Sequence, residues 1–467
     1  MAETTTPHRF LVKWRHLFQS VLKLLLLAGD TYAFIFCVDR WYPATDFHFW
    51  GYVMFAVLYV IVLLAFINMY RCFSIGTLRK RELVIGAFIA ISLTNLVNYF
   101  VICLLSKYIV SVLYLGFICC CQIVYSALLL LAANFLFFRL RPSRDALVIC
   151  AEDRHDADTL RKFDYLRESY HVQEVVSESD PRELLYEKLE KCSTVVCGSV
   201  DLALRSELVK YCFEKNKRMF VMPQPDDIIL HSSHEVFVGD SMMYLCRNRT
   251  FTLEQLIIKR LIDIVASLFG IVLTGPLMLL TALAIKLQDG GPVFFKQVRY
   301  TRNCKKFTLI KFRSMIVDAE KDGARFTTDH DDRITPVGRF IRRTRLDELP
   351  QFFNILAGDM SLVGPRAERI ENVEYYCKLM PEFRYRMKVK AGLTGYAQIY
   401  GKYNTTYEDK LKMDLMYIEN CSIMEDIQLL FQTVRVLFIP DSTEGFVTTT
   451  LDGLGKTDEQ DTEKHSL

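Results

Sequence analysis

Four long apolar stretches come first, roughly Leu17 to Val38, Phe49 to Ile67, Val84 to Leu105 and Ile109 to Phe138. Each has about the 20 residues a helix needs to cross the hydrocarbon core of a bilayer, and none keeps the polar face of a soluble helix. Asp30 interrupts the first and is expected to face the bundle or an interface. From Asp145 the pattern shortens. Ala146 to Cys150, Ser193 to Cys197 and Met219 to Met222 are brief apolar runs between charged amphipathic stretches. Such alternation predicts a small Rossmann-like α/β domain. Its first strand leads into Ala151-Glu-Asp-Arg-His155 and not into a glycine-rich turn, so a dinucleotide has no cradle and a structural or regulatory role is expected. The Tyr211 and Lys215 spacing of short-chain dehydrogenases is read as chance for the same reason.

A fifth apolar segment, Leu261 to Leu287, is long enough to span but carries Gly275-Pro276 near its middle. Proline removes a backbone donor and kinks a helix. Lys259 and Arg260 precede the segment and Lys286 and Lys296 follow it, so the positive-inside rule places both ends in the cytosol. The expectation is a re-entrant helix, about 256–287, broken at Pro276, with Asp263 paired to a neighbouring base. Basic residues around the first four stretches likewise place both ends of that bundle in the cytosol. The expected organisation is therefore a four-helix transmembrane region (1–144), the α/β domain (145–250), a mixed α+β cytosolic catalytic domain (251–440) and a disordered polar tail (441–467).

Composition agrees with embedded segments, at 51% hydrophobic residues and 13% aromatics. The net charge of +3 decides little, but Lys296 to Arg345 holds 14 Lys or Arg against 6 Asp or Glu, an excess of eight. That block suits an anionic ligand or lipid headgroups, or a solvated face. The fourteen cysteines form no paired C-x-x-C pattern and read as small hydrophobes in a reducing compartment.

Within that block Phe307 to Met315 alternates like a strand, which would point Lys311 and Arg313 the same way, toward a phosphate or toward acids. The run Arg342-Arg-Thr-Arg-Leu-Asp-Glu-Leu-Pro350 follows. Thr344 or its successor could cap a helix whose first turn holds Asp347 and Glu348, where acids stabilise through the helix dipole without any catalysis. Alternatively, two adjacent carboxylates among arginines could hold Mg²⁺ and an attacking oxygen beside a phosphate, or Asp347 could itself be the nucleophile. Gly364-Pro-Arg366 and Gly392-Leu-Thr-Gly-Tyr-Ala-Gln398 are glycine-punctuated turns.

Taken together, Lys311-Phe-Arg-Ser-Met315, Leu346-Asp-Glu-Leu-Pro-Gln351, Gly358 to Arg366 and Thr394 to Gln398 resemble, in order and spacing, the bacterial sugar transferase family of monotopic phosphoglycosyl transferases. The resemblance covers Lys259 to about Phe438, and the preceding regions are similar to the long polyprenyl-phosphate hexose-1-phosphate transferases. It implies a ping-pong reaction in which Asp347 takes a hexose phosphate from a UDP-sugar, releasing UMP, and passes it to undecaprenyl phosphate. Glu348, with Asp347, would bind Mg²⁺. Arg342 and Arg366 would hold phosphate oxygens, supported by Lys311, Arg313 and Asp414, and the break at Pro276 would set the site at the level of the lipid phosphate. The implied setting is the bacterial inner membrane, with membrane lipids and a homodimer as further partners and no nucleic acid. Three departures from the family pattern are Gly275-Pro276 for Ser-Pro, Arg345 for a small polar residue, and Gly401-Lys402 for Gly-Arg, where Lys402 offers a point charge and not a fork. The rival readings are a metal-dependent glycosyltransferase using Asp329 and Asp331, and a non-enzymatic scaffold or nucleotide-sugar sensor.

Overall fold

The computed structural model describes residues 7–42, 48–140, 143–151, 163, 166, 169–247, 251–317, 319, 331–401 and 405–436. Most of the Ala151 to His155 loop, Asp329, Lys402 and the polar tail lie outside the described residues. The chain divides into two compact units, Met1–Met222 and Pro223–Leu467.

The first unit begins with helices α1 (Pro7–Trp41), α2 (Phe49–Met69), α3 (Lys80–Ser106) and α4 (Val112–Leu140). All four are long and apolar enough to cross a membrane. Apolar side chains cannot hold helices together in lipid by the hydrophobic effect, so polar groups inside the bundle matter more. Here Gln122 Nε2 donates to Asp30 O at 2.7 Å and to the Tyr59 hydroxyl at 2.8 Å, while Asn95 Nδ2 donates to Gln122 Oε1 at 2.7 Å. One amide thus joins all four helices. Asp30 is buried in the bundle and accepts from Ser126 Oγ at 2.9 Å.

The same unit continues with β1 (Arg144–Cys150), β2 (Tyr170–Ser177), α5 (Arg182–Lys191), β3 (Thr194–Cys197), α6 (Leu202–Glu214) and β4 (Arg218–Val221). The strands form one parallel sheet in the order β2-β1-β3-β4. Leu147 and Ile149 pack with Leu185, Leu189, Leu204 and Leu208, while Ala146, Val148 and Cys150 pack with Phe163 on the opposite face. Burial on both faces is why β1 reads as an unbroken apolar run.

The second unit opens with α7 (Pro225–His231) and an antiparallel hairpin, β5 (His234–Val238) and β6 (Ser241–Leu245), turned at Gly239 with φ +68°. Phe237, Met243 and Tyr244 of the hairpin are exposed. Helix α8 (Leu253–Asp289) follows, started by a reciprocal Thr252–Gln255 capping box and stopped at Gly290, φ +70°. It runs through Pro276 as one helix, so the expected break is not an interruption: a single proline forfeits one i→i−4 bond, and the turns on either side keep theirs. Nor, among the described residues, does Asp263 pair with a base. It accepts from Ser361 Oγ at 3.1 Å and Leu362 N at 2.9 Å, neutral donors supplied by an adjoining strand.

The unit is completed by β7 (Phe294–Tyr300), β8 (Lys306–Phe312), α9 (Pro336–Arg343), a 3-10 turn (Leu346–Glu348), α10 (Gln351–Ala357), β9 (Ser361–Val363), α11 (Ile370–Leu379), a 3-10 segment (Pro381–Lys388), β10 (Gly392–Thr394), α12 (Tyr396–Ile399), α13 (Tyr407–Glu419) and α14 (Ile423–Val436). β7 pairs antiparallel with β8, and β9 parallel with β10. This domain grips α8 on both sides of Pro276. Before it, Lys259 pairs with Asp426 at 2.5 Å and Arg260 donates to the Ile355 and Leu356 carbonyls; after it, Met278 and Ile285 pack on Phe312 and Ile341. Between the grips Leu268, Phe269, Val272, Leu273, Leu279 and Leu280 are exposed.

Candidate active site

The site is assembled on the 3-10 turn Leu346–Glu348. In a 3-10 turn, residues i and i+3 eclipse, so Leu346 and Leu349 share one side and pack against the cluster of Phe312, Ile341 and Met278. Asp347 and Glu348, between them, are left for the other side. The chain reaches this turn through a tight reversal. Thr335 caps α9 by accepting from Gly338 N at 2.9 Å, and Thr344 closes it, donating its hydroxyl to Phe340 O at 2.8 Å. Thr344 therefore ends the preceding helix and does not cap the next, because its hydroxyl is engaged by the turn behind it. Arg345 then adopts φ +56°, a left-handed conformation that costs a non-glycine residue about 1 kcal/mol or more.

Four cations converge on the two acids. Lys311 lies on the face of β8 that buries Phe307 and Leu309, and its Nζ meets Glu348 Oε1 at 2.7 Å. Arg366 reaches the same oxygen at 2.9 Å. Arg342 and Arg345 act on Asp347 through space, while Arg343 is exposed. Burial pushes the Glu348 carboxyl up, but Lys311 and Arg366 overcome it and hold the group well below the carboxylate range. Asp347 goes the other way. Burial raises it, Lys311 opposes that, and the neighbouring Glu348 charge adds to it. Among the described residues Asp347 accepts no hydrogen bond and forms no ion pair.

Two further predicted ligands lie elsewhere. β8 ends at Phe312, and Arg313 N still donates to Val293 O at 2.9 Å, one step beyond the last paired residues. Arg313 instead ion-pairs with Asp289 at the end of α8, its guanidinium laid against Gly291, where a side chain would collide with it. Asp414 is buried on α13 and ion-paired to Arg386 at 2.8 Å, with Glu368 and Lys410 alongside. It does not touch the acid pair. Burial pushes its carboxyl up to about 6 against the pull of Arg386, whereas Glu368, also buried, is brought down to about 2 by Lys410, Arg386 and Arg366. Glu368 and Arg386 carry no sequence signal, since neither belongs to a short motif. Asp331 has both oxygens bound by Arg333, at 2.8 and 2.6 Å, so the D-x-D reading loses its described ligand to an arginine two residues on.

The Gly364-Pro365-Arg366 turn is set by the β9–β10 pair. Gly364 N donates to Thr394 O and Gly392 N to Pro365 O, each at 2.8 Å. The two backbones approach so closely that a side chain at either glycine would strike the other segment.

The sequence model of the family described as "Bacterial sugar transferase" matches residues 254–440. The chain is 44% identical over 183 residues to the UDP-N-acetylgalactosamine-undecaprenyl-phosphate N-acetylgalactosaminephosphotransferase of Aeromonas hydrophila, covering 38% of this chain and 43% of that protein. It is 41% identical over 216 residues to the UDP-glucose:undecaprenyl-phosphate glucose-1-phosphate transferase of Escherichia coli (strain K12), covering 45% and 46%. Those matches span less than half of either relative. The Exopolysaccharide production protein PSS of Rhizobium leguminosarum bv. phaseoli is 41% identical over 189 residues, 38% of this chain and 94% of that protein.

Proposed function

The chain belongs to the bacterial sugar transferase family, and on that premise we propose that it transfers a hexose 1-phosphate from a UDP-sugar to undecaprenyl phosphate. The observation that carries this reading is the asymmetry of the acid pair. Glu348 is gripped by two cations, while Asp347, one residue away, is unclaimed among the described residues. Lys311, Arg342, Arg345 and Arg366 number four positive charges against the two of Asp347 and Glu348. The surplus of two matches the dianionic diphosphate of a nucleoside diphosphate sugar.

In this mechanism an Asp347 carboxylate oxygen attacks the sugar-bearing phosphorus, and the bond from that phosphorus to the bridging oxygen breaks. UMP leaves with the bonding pair, and an acyl phosphate carrying the sugar remains. An oxygen of undecaprenyl phosphate then attacks the same phosphorus, which frees the Asp347 carboxylate and yields a lipid diphosphate sugar. Burial that makes Asp347 more basic also makes it a stronger nucleophile once ionised. Lys311 and Arg366 keep Glu348 charged and orient the phosphates. Two adjacent carboxylates beside a diphosphate fit the donor set of Mg²⁺, which takes one or two carboxylates plus substrate oxygens. Asp347 and Glu348 would hold it, and when bound it supplies positive charge to the diphosphate. The test is UMP release from UDP-glucose, UDP-galactose and UDP-N-acetylgalactosamine with undecaprenyl phosphate. Release of UDP, with transfer of sugar alone, would select a conventional glycosyltransferase.

The setting proposed with this activity is a bacterial cytoplasmic membrane crossed by α1 to α4, with the parallel sheet as a Rossmann-like cytosolic domain and α8 as a re-entrant dip whose helix bends at Pro276 without a gap. Support for the dip comes from α8 being held by the same domain before and after Pro276, with bare apolar side chains between. The exposed apolar hairpin β5–β6 offers a surface for a homodimer. A cysteine introduced at Lys410 should be labelled from the cytosolic side, and labelling from outside only would make α8 a full span.

A further inference from the structure

Beyond Val363 the chain keeps one bridge to β10, Arg366 to Gly392, and the carbonyl of Arg366 is left for a partner outside that pair. Its backbone is caught by a second arginine. Arg386 Nη2 donates to Arg366 O at 3.0 Å. Arg386 is only 3% exposed and is held from three directions: the Asp414 carboxylate at 2.8 Å, the Glu368 carboxylate at 4.0 Å, and the Phe383 ring, whose centroid lies 4.8 Å from the guanidinium carbon. Lys410 bridges to Glu368 at 3.4 Å, and Arg299 of β7 donates to the next carbonyl, Ala367 O, at 3.3 Å. The segment 366–368 is thereby clamped by side chains from β7, the 381–388 segment and α13. Its far end presents the Arg366 guanidinium, 44% exposed, to Glu348 at 2.9 Å.

We propose that Arg386, locked by Asp414, is a positioning residue that aims Arg366 at the phosphate site, and that Asp414 acts through it without contacting substrate. This rests on the phosphosugar-transfer reading. A guanidinium suits the task because its plane lies over the Phe383 ring while Nη2 meets both the Asp414 carboxylate and the Arg366 carbonyl, whereas an ammonium is a point charge without that plane. A buried ion pair with a partner removed is strongly destabilising, so the informative variants keep the site polar. Arg386→Lys retains charge for Asp414 but loses the planar group held over Phe383 that fixes where Nη2 lies, and Asp414→Asn keeps the shape without the charge.

The experiment measures UMP release by the full-length enzyme in detergent, using the fastest of UDP-glucose, UDP-galactose and UDP-N-acetylgalactosamine with undecaprenyl phosphate, alongside thermal unfolding. Arg386→Lys and Asp414→Asn are expected to lower kcat by about 10- to 100-fold, the cost of a displaced group. Near pH 7 the unfolding temperature of Arg386→Lys should stay near that of the wild type, and that of Asp414→Asn should not fall below it. In an Arg366→Ala background, adding Arg386→Lys should cost nothing more, since the group it aims is gone. Additive losses, or a wild-type kcat in Arg386→Lys, would overturn the positioning role while leaving the transfer reading intact. A wild-type enzyme that releases no UMP from any of the three donors would instead overturn the transfer reading, and the positioning role with it.

Discussion

Two clusters of acids and bases lie within one domain and are built from the same residue types. Around the 3-10 turn, Lys311, Arg342, Arg345 and Arg366 surround Asp347 and Glu348; behind Arg366, Arg299, Arg386 and Lys410 surround Glu368 and Asp414. In the second cluster both carboxylates are claimed, by Arg386 and by Lys410. In the first, among the described residues, Glu348 alone is, and the Arg366 side chain is 44% exposed. A closed network of this kind rigidifies its surroundings, whereas an open one with surplus positive charge has room for a ligand. Reactivity is therefore read from what is left unpaired, and the number of charged residues says little about it.

The largest test of this contrast is Asp347→Asn, which should lower phosphosugar transfer by about a thousandfold or more, measured as UMP release. Asp414→Asn in the closed cluster should cost far less, and a reversed order would erase the distinction. The second test is stability against pH. The folded Asp414 keeps its proton up to about 6 against an ordinary value of 3.8, so the stability it contributes is full below 3.8 and is lost as pH rises toward 6. Glu368, at about 2 against 4.5, has the opposite sign, contributing above 4.5 and losing it as pH falls toward 2. Asp414→Asn should abolish the decline between pH 4 and 6, worth about 3 kcal/mol at most, followed by unfolding temperature across that range. The smallest effect concerns Lys311→Met. Because Lys311 and Arg366 together hold Glu348 low, removing one lets its carboxyl rise, so the acid-side loss of activity should begin at a higher pH. An unmoved acid limb would mean that the ion pair does not govern Glu348.

Much of the fold was legible beforehand. The first three apolar stretches fall within α1 to α3, the fourth begins three residues before α4, and the runs at Ala146, Ser193 and Met219 fall on β1, β3 and β4 to within two residues. The Leu346-Asp-Glu-Leu349 spacing was readable too, although as a first helical turn and not a 3-10 turn. The sequence leaves Arg313 facing a phosphate or acids, and the structure gives it an acid, Asp289, which lies 24 residues back and in no motif. Asp414 was placed with the phosphates because its partner, Arg386, is 28 residues away, counting back from 414 to 386, and lies outside every motif.

The sequence by itself determined which segments are apolar enough for a membrane, which strands are buried on both faces, and that acids and arginines crowd near Asp347. Those are local properties, written in periodicity and in neighbouring residue types. Only the tertiary structure decided that Lys311 and Arg366, separated by 55 residues, meet on one oxygen of Glu348, that Asp289 takes Arg313, and that Arg386 closes over Asp414. Which carboxylate stays unclaimed depends on where every distant cation comes to rest, and no local pattern encodes that.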